Sequence, residues 1–246
     1  MEEFIKDELT LFRGEDYVIK QGIVIRQPTL DEICRYGEKE YFTLIQLLTC
    51  VPADFKWQLD EAGVDYTVIS DFELFHTYLF TQIAAADTAI LFGGLDFSLF
   101  QAAVRNDTGD VILYDIEHDV TIDEYTYLLI VAIIRKIHGL SRNNELPGNE
   151  TTKRILIEDA KEEYMRSKDR EFHSQLVNHI SAMINCPGFK YSFDTVWNLK
   201  IYAFLDSMKR IMKIKNSELL LQSGYSGFGI NLKEIDNKQL DWLGEL

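Results

Sequence analysis

Three Ser/Thr-x-x-Glu patterns stand directly before apolar runs with helical spacing, and they constrain the fold more than any other feature of this sequence. In such a capping box the hydroxyl accepts a hydrogen bond from the backbone N–H three residues later, and the glutamate accepts one from the backbone N–H of the Ser or Thr. The pairs are Thr29 with Glu32, Ser70 with Glu73 and Thr121 with Glu124. The sequence therefore predicts helices that begin at or beside these positions, the last of them ending near Gly139.

Further apolar runs recur with a period near 3.6 and predict additional helices. They cover residues 41–50, 53–62, 152–168, 170–184 and about 194–215. On the last of these, one face carries Val196, Trp197, Ile201, Phe204, Leu205, Met208, Ile211 and Met212. We predict that this face, with Trp197, Phe204, Leu205 and Met208, belongs to the main core, and that the lysines at 209, 213 and 215 lie away from it.

β-prone runs flank turn-forming residues near residues 9–26 and 96–116. The first region holds the runs Leu9 to Phe12, Tyr17 to Ile19 and Ile23 to Arg26. In the second, the turn formers at 105–110 join Asp96 to Val104 with Val111 to Ile116, which favours a hairpin. The predicted fold class is α+β, predominantly α-helical, with a small N-terminal β-unit and a central β-hairpin.

The acidity of the chain, whose formal net charge is −15, is confined to its first half. Residues 1–125 carry 8 Lys/Arg and 25 Asp/Glu, a net −17, whereas residues 126–246 carry 17 and 15, a net +2. The turn formers of residues 140–149 make this segment the best candidate boundary. We expect an acidic α+β part over 1–140 and a helical part with an apolar tail over 150–246, or one compact domain containing both.

Nucleic acid and membrane are both disfavoured as partners. A strongly acidic chain repels phosphate backbones, and the one basic segment, around Lys209 to Lys215, is explained more simply as the solvated face of a helix. The most apolar stretch, Tyr125 to Ile134, is about half the roughly 20 residues that a membrane span needs. The start, Met1 to Glu8, lacks the basic and apolar regions of an export signal, so we expect the protein to stay in the cytoplasm where it is made.

Residues with catalytic or metal-binding potential are scattered. Nucleotide-binding loops and common hydrolase motifs are absent from the sequence, and Cys34, Cys50 and Cys186 form no CxxC pair. The nearest approach to a metal or acid–base site is Glu117-His118-Asp119, but neighbours on an extended chain point to opposite faces and would need ligands from elsewhere. We therefore expect no catalytic, cofactor or metal site and no enzyme activity. A metal-dependent enzyme built around His118 is the least favoured alternative.

The histidines other than His118 are expected to be ordinary residues. His76 and His138 stand alone in apolar segments, where a hydrogen-bonded core histidine is the simplest interpretation. His173 and His179 are six residues apart and do not share a helical face.

The C-terminus combines a glycine-rich stretch, Ser223 to Gly229, with a short apolar tail. The tail carries Leu240, Trp242, Leu243 and Leu246, which are the candidate partner-binding residues. Two interpretations remain open: a strap that returns to cover the chain's own core, or a peptide that docks on a partner protein after a flexible link.

The run from Ile23 to Ile33 resembles the opening of tail assembly chaperones of long-tailed bacteriophages. In those proteins a short β-unit ends in a basic, polar, Pro, Thr, aliphatic, acidic step into helices, which here reads Arg26-Gln27-Pro28-Thr29-Leu30-Asp31. The segments Val196 to Lys215 and Leu240 to Leu246 resemble proteins of phages and prophages from Gram-positive hosts.

The resemblance implies a morphogenesis protein of the host cytoplasm that binds the tape-measure protein or tail-tube subunits before the tail polymerises. The chain is longer than short members of that group and carries the hairpin around Asn106 to Gly109. A virion component of the neck, connector or tail is therefore the alternative. Self-association through the unlike charges of the two halves is a further expectation.

Overall fold

A computed structural model gives the architecture of the chain and describes residues 8–226, 229, 231–244 and 246. The α-helices are α1 (Glu8–Phe12), α2 (Leu30–Tyr36), α3 (Glu38–Thr49), α4 (Lys56–Glu61), α5 (Asp71–Leu74), α6 (Phe80–Ala84), α7 (Ala89–Phe92), α8 (Glu124–His138), α9 (Glu150–Ser167), α10 (Gln175–Ile184), α11 (Ile201–Tyr225) and α12 (Asn237–Leu240). The strands are β1 (Tyr17–Lys20), β2 (Ile23–Ile25), β3 (Gln101–Val104), β4 (Val111–Asp115) and β5 (Val120–Ile122). The predicted α+β, mainly helical fold class is confirmed.

The N-terminal β-unit is a two-stranded antiparallel hairpin of β1 and β2, turning at Gly22 with φ of +83°. The run Leu9 to Phe12, predicted as β, is instead part of the helix α1. Tertiary packing explains the difference: Leu11 is fully buried, and the ring of Phe12 meets Tyr202 of α11 edge-on at 6.5 Å. The export-signal prediction concerns residues 1–7, which lie outside the described residues.

Of the three predicted capping boxes, the one at Thr29 forms in full and the one at Ser70 forms its N-cap hydrogen bond. Thr29 Oγ1 accepts from the Glu32 N–H at 3.1 Å while Glu32 Oε2 accepts from the Thr29 N–H at 2.7 Å. Ser70 Oγ accepts from the Glu73 N–H at 3.0 Å, and α5 continues through a π-helical turn (Phe75–Leu79) into α6.

The third cap was predicted two residues too early. Thr121 belongs to β5, where it pairs with Tyr114, and Asp123 caps α8 by accepting from the Thr126 N–H at 2.9 Å. The helix ends as predicted at Gly139, whose left-handed φ of +62° lets its N–H reach the last turn.

The central β element is a three-stranded antiparallel sheet in the order β3–β4–β5. The hairpin of β3 and β4 pairs Gln101 with Tyr114 and Val104 with Val111. The start of the predicted run, Asp96 to Val104, is a short 3-10 helix (Phe97–Leu99), and β5 was not predicted. Residues 150–215, all of which the structure describes, contain no strand, in agreement with the sequence-based prediction.

The C-terminal half departs from prediction at its helix boundaries. α10 begins at Gln175 rather than Arg170, because Ser174 caps it by accepting from the Val177 N–H at 3.0 Å. A 3-10 turn (Val196–Asn198) precedes α11, which then runs beyond Lys215 to Tyr225. Ser223 to Tyr225 are therefore helical, whereas Gly227 and Phe228 of the predicted glycine-rich link lie outside the described residues.

The main hydrophobic core takes side chains from both sides of the 140–149 segment. It joins Ile130 and Ile134 of α8 with Ile180 of α10 and Phe204 of α11. Two backbone hydrogen bonds also join the two parts. The Leu30 N–H donates to the Leu199 carbonyl at 3.0 Å, and the Ile201 N–H donates to the Pro28 carbonyl at 2.9 Å. The segment that begins α2 is thus fixed against the start of α11.

The predicted core face of α11 is only partly buried. Phe204 is fully buried, as predicted, and Trp197, Leu205 and Met208 are half-buried against the core. Met212, placed on the same face by its spacing, is 64% exposed. Ile211, one residue earlier, still packs against the core, so the buried face is narrower than the spacing predicted.

The 140–149 segment is a loop, as predicted, and it is tied to the first half by side-chain contacts. Arg142 makes two hydrogen bonds to the Asp71 carboxylate, at 2.7 and 3.1 Å, and Asn143 donates to Asp54 at 2.7 Å. Lys56 pairs with Glu145 nearby.

Among the residues that the structure describes, we find no helix with both the length and the apolar character needed to span a membrane.

Candidate functional site

The C-terminal strap, defined as residues 231–244 and 246, lies in cis along the second half of α11. Arg210 Nη1 donates to the carbonyl oxygens of Trp242 at 2.6 Å and Gly244 at 2.8 Å. Ser217, fully buried beneath the strap, donates its hydroxyl to the Leu240 carbonyl at 2.8 Å. These contacts hold the strap largely by its backbone, which leaves its side chains available for other contacts.

The glycine at 224 admits the first apolar side chain of the strap. Leu232 lies so close to Gly224 that a Cβ there would overlap the leucine side chain. Gly224 is thus required for a close approach within a helix.

The four predicted partner-binding residues lie together on the strap, but they are not equally accessible. Leu240 is half-buried against α11, whereas Trp242 is 47%, Leu243 74% and Leu246 51% exposed. The strap therefore folds back on its own chain, with Leu232, Ile235 and Leu240 half-buried, while its last three large apolar side chains face solvent. Exposed apolar side chains that are close in the chain are candidates for a protein-binding surface.

A concavity of about 390 Å³ lies between α11 and the strap. Its lining consists of Lys209, Met212, Lys213, Lys238, Gln239 and Leu246. Lys209 and Lys238 are exposed and Lys213 is half-buried. The basic segment expected to be a solvated helix face thus contributes to a concave surface, on a chain whose overall charge is −15.

His118 forms a second chemically distinctive group, together with Asp115 at the end of β4. His118 Nδ1 lies 2.8 Å from Asp115 Oδ2, and Asp115 Oδ1 accepts from the backbone N–H groups of Glu117 at 2.9 Å and His118 at 3.3 Å. Asp115 is only 2% exposed, whereas the His118 side chain is 58% exposed. The tight turn after β4 therefore fixes the imidazole by one nitrogen and leaves Nε2 for solvent or a ligand.

The two partners shift each other's protonation. The hydrogen bond and charge of Asp115 raise the pKa of His118 above its ordinary value. Burial alone would raise the pKa of Asp115, but the hydrogen bonds from His118 and from the two backbone N–H groups outweigh it, so the pKa of Asp115 is lowered. Near neutral pH this favours an imidazolium–carboxylate pair more than two isolated side chains would.

The predicted triplet Glu117-His118-Asp119 does not converge on one point. Asp119, with a left-handed φ of +53°, instead accepts a hydrogen bond from the Tyr114 hydroxyl at 3.0 Å. The histidine's partner, Asp115, was missed from the sequence, although an Asp-x-x-His spacing at the end of a strand is the signal that points to it. No group of three or more His, Cys, Asp or Glu residues suited to a metal ion occurs within residues 8–226, 229, 231–244 and 246.

His118 and Asp115 open onto a cleft of about 730 Å³ between the N-terminal hairpin, the segment after α7 and the β4–β5 turn. Its charged lining residues are Asp16, Arg26, Asp96, Asp115, His118 and Asp119. Arg26 is engaged by Glu32 at 2.8 Å and Asp96 by the Ser98 hydroxyl at 2.7 Å. Among these charged residues only Asp115 and His118 pair with each other, and Arg26, Asp96 and Asp119 are hydrogen-bonded to neighbours outside the lining.

Two of the other histidines contrast in their surroundings. His138 is buried, its Nδ1 lies 2.7 Å from the Ile134 carbonyl, and its Nε2 lies 2.6 Å from the Tyr41 hydroxyl. A carbonyl only accepts, so Nδ1 carries the proton and Nε2 accepts from Tyr41. This confirms the expected core histidine, whereas His173 is exposed and precedes α10.

Comparison with known proteins gave no match: no protein family, no curated protein and no solved structure matches this chain.

Proposed function

We propose that this chain is a phage morphogenesis protein of the tail-assembly-chaperone kind, which binds tape-measure or tail-tube proteins in the host cytoplasm. The carrying observation is the C-terminal strap, which is held by its backbone while Trp242, Leu243 and Leu246 remain exposed. Tryptophan is one of the residues that supply most of the binding free energy in protein interfaces, and neighbouring leucines add apolar surface that is removed from water on binding. The resemblance of residues 23–33 to tail assembly chaperones supplies the biological context.

The proposal is one of binding rather than catalysis. The strap residues fit an interface because burying them in a complex removes apolar surface from water. In the alternative, this chain is itself a component of the virion neck, connector or tail, and the same surface contacts its neighbours there. The two possibilities differ in whether the protein remains in the finished particle.

The test follows the protein during phage growth. An affinity-tagged copy is captured from infected cells, and mass spectrometry quantifies tape-measure and tail-tube proteins in the captured fraction and the tagged chain in purified particles. A chaperone should co-purify with one of these two partners and be absent from particles. Presence in particles at fixed stoichiometry would favour the structural role, and capture of neither partner together with absence from particles would refute both.

Paired variants assign the binding to the strap. Trp242→Ala combined with Leu243→Ala should reduce capture of the partner at least about tenfold, as expected for removal of buried anchors. The matched control combines Val68→Ala with Leu146→Ala, two side chains that are 76% and 77% exposed elsewhere on the surface. Equal capture by both double variants would exclude the strap as the binding element.

A further inference from the structure

The helix α9 is long but contributes no buried side chain. It spans the 18 residues Glu150–Ser167, and none of them is buried. By contrast, the 10-residue α10 buries Leu176, Ile180 and Met183 in the main core. Helices in proteins owe most of their stability to the packing of an apolar face against the rest of the chain. α9 therefore depends on surface contacts to hold its position.

The main neighbour of α9 is α4, and a lysine near the start of α9 reaches the segment that follows α4. Lys153 Nζ lies 2.6 Å from Asp65 Oδ2 and 6.0 Å from the centre of the Tyr66 ring. A carboxylate and an aromatic face both attract an ammonium group. Asp65 and Tyr66 thus receive Lys153 together.

A second lysine on α9 repeats this arrangement on α4 itself. Lys161 pairs with Glu61, and its Nζ lies 5.7 Å from the centre of the Trp57 ring. The ring of Tyr164 also meets the ring of Trp57, with 5.0 Å between their centres. The carboxylate side chains of the two lysine pairs, Glu61 and Asp65, are 54% and 40% exposed. Exposed ion pairs contribute little to stability and are screened by salt, so these contacts hold α9 only weakly.

The apolar contact of α9 does not involve the main core. Ile157 packs, half-buried, against a small second cluster that contains Leu59 and Leu74. No residue of α9, all of which the structure describes, belongs to the main core or packs against it. The main core would therefore keep all its side chains if α9 moved away.

The chain is anchored on both sides of α9. Before it, Arg142 makes two hydrogen bonds to Asp71. After it, Glu38 Oε1 accepts from the backbone N–H groups of Gln175 at 2.9 Å and Leu176 at 3.0 Å. Between these anchors, α9 is joined to the rest of the chain by loops on each side. The loops allow α9 to move while the two anchors stay in place.

We propose that α9 is a detachable arm, which leaves α4 while the main core stays folded and so uncovers the rings of Trp57 and Tyr66. Its departure also frees Glu61 and Asp65, which together with these rings hold the two lysines of α9 when it is docked. This inference is independent of the proposed function, because the strap lies along α11.

Hydrogen exchange measured by mass spectrometry on the full chain tests the proposal. A helix of this length without tertiary contacts is marginal in water, so detachment exposes the amides of α9 to exchange. They should exchange at least about tenfold faster than the amides of α8, which opens only with the main core. Raising the salt from about 0.1 M to about 1 M should accelerate exchange in α9 and leave α8 unchanged, because it screens the two lysine pairs.

A double variant outside α9 separates detachment from fraying of the helix itself. Glu61→Gln combined with Asp65→Asn removes both lysine partners and leaves the sequence of α9 intact. Asn keeps the oxygen that accepts from Thr67. Exchange in α9 should accelerate at least about threefold, the effect expected for the loss of two exposed ion pairs.

The matched control combines Asp107→Asn with Glu117→Gln, two exposed acidic residues away from α9 that give the same change in net charge. It should leave exchange in α9 unchanged, and circular dichroism confirms that each variant folds. Equal protection of α9 and α8 in the wild type would overturn the inference, because α9 would then open only when the whole protein unfolds. Equal acceleration of α9 in the two double variants, or acceleration of α8 together with α9 in the Glu61 and Asp65 variant, would also contradict it.

Discussion

Burial sets the protonation state of His138, although the sequence shows only a histidine near the end of an apolar helix. Both nitrogens of the neutral ring are hydrogen-bonded, Nε2 to the Tyr41 hydroxyl and Nδ1 to the Ile134 carbonyl. Burial lowers the pKa of His138 to about 4. In the unfolded chain the same ring has its ordinary pKa of roughly 6.5.

The expected consequence is an acid-sensitive fold. Between these two pKa values the unfolded chain binds more protons, so the stability from neutral His138 is complete above about pH 6.5 and is lost as the pH falls towards 4, by up to about 3 kcal/mol. Urea unfolding at pH 7 and at pH 4.5 measures the difference. His138→Gln should flatten this pH dependence, and His173→Gln, at an exposed position, should retain it.

For the partly exposed His118, paired with Asp115, we expect the opposite dependence of stability on pH. Because the pKa of His118 is raised, its stabilising contribution is present below the ordinary histidine pKa and is lost as the pH rises through the raised value. An NMR titration should show His118 titrating above an ordinary histidine. Asp115→Asn should lower its pKa, whereas Asp119→Asn should leave it nearly unchanged; equal effects would contradict the assigned pairing.

At the scale of elements, helix starts depend on which polar side chain reaches a free backbone N–H group. Thr121 has the correct spacing to Glu124, but its pairing with Tyr114 in the sheet removes it from the helix. Asp123 takes the capping position and also accepts from the Thr126 hydroxyl at 2.6 Å. Strand pairing therefore moved the start of α8 by two residues.

Replacing the cap should have a measurable effect. Asp123→Ala should lower the free energy of unfolding by about 1 kcal/mol, the usual loss for a missing N-cap. Asp123→Asn retains the accepting oxygen and should remain close to wild type. Chemical denaturation of the wild type and the two variants measures the free energies of unfolding. If both variants lose the same free energy, the effect belongs to the charge of Asp123, including its ion pair with Arg105 at 3.8 Å, and not to the cap.

At the scale of the whole molecule, one hydrophobic core contains side chains from both sides of the 140–149 loop. Phe204 of α11 packs in the same cluster as Tyr41 of α3 and Ile134 of α8, and the loop itself is tied back through Arg142. Side chains from both sides of the segment expected to be a boundary are thus buried together. We expect the parts 1–140 and 150–246 to unfold together.

Phe204→Ala tests this cooperativity. Removal of a fully buried phenylalanine should lower the free energy of unfolding by about 3 to 5 kcal/mol. Hydrogen exchange should accelerate in α3 and α8 as well as in α10 and α11. Phe172→Ala, at a side chain 51% exposed, should change stability by less than about 0.5 kcal/mol. Acceleration confined to residues 150–246 would instead support two independent domains.

The sequence by itself determined the mainly helical class, most helix positions, two of the three predicted caps and the end of α8 at Gly139. These features depend on hydrogen bonds and spacings within a few residues, so local chemistry is sufficient to specify them. The identity of the four strap residues was also readable from the sequence, because apolar groups in a short acidic tail stand out by composition.

Only the tertiary structure decided the features that depend on distant neighbours. Packing of Leu11 and Phe12 turned a β-prone run into α1, and pairing with Tyr114 placed Thr121 in a strand. The strap returns to Arg210 and Ser217, and Met212 is exposed although its spacing places it on the predicted core face. Burial and long-range contact are properties of the folded chain as a whole, and a residue's spacing along the sequence does not contain them.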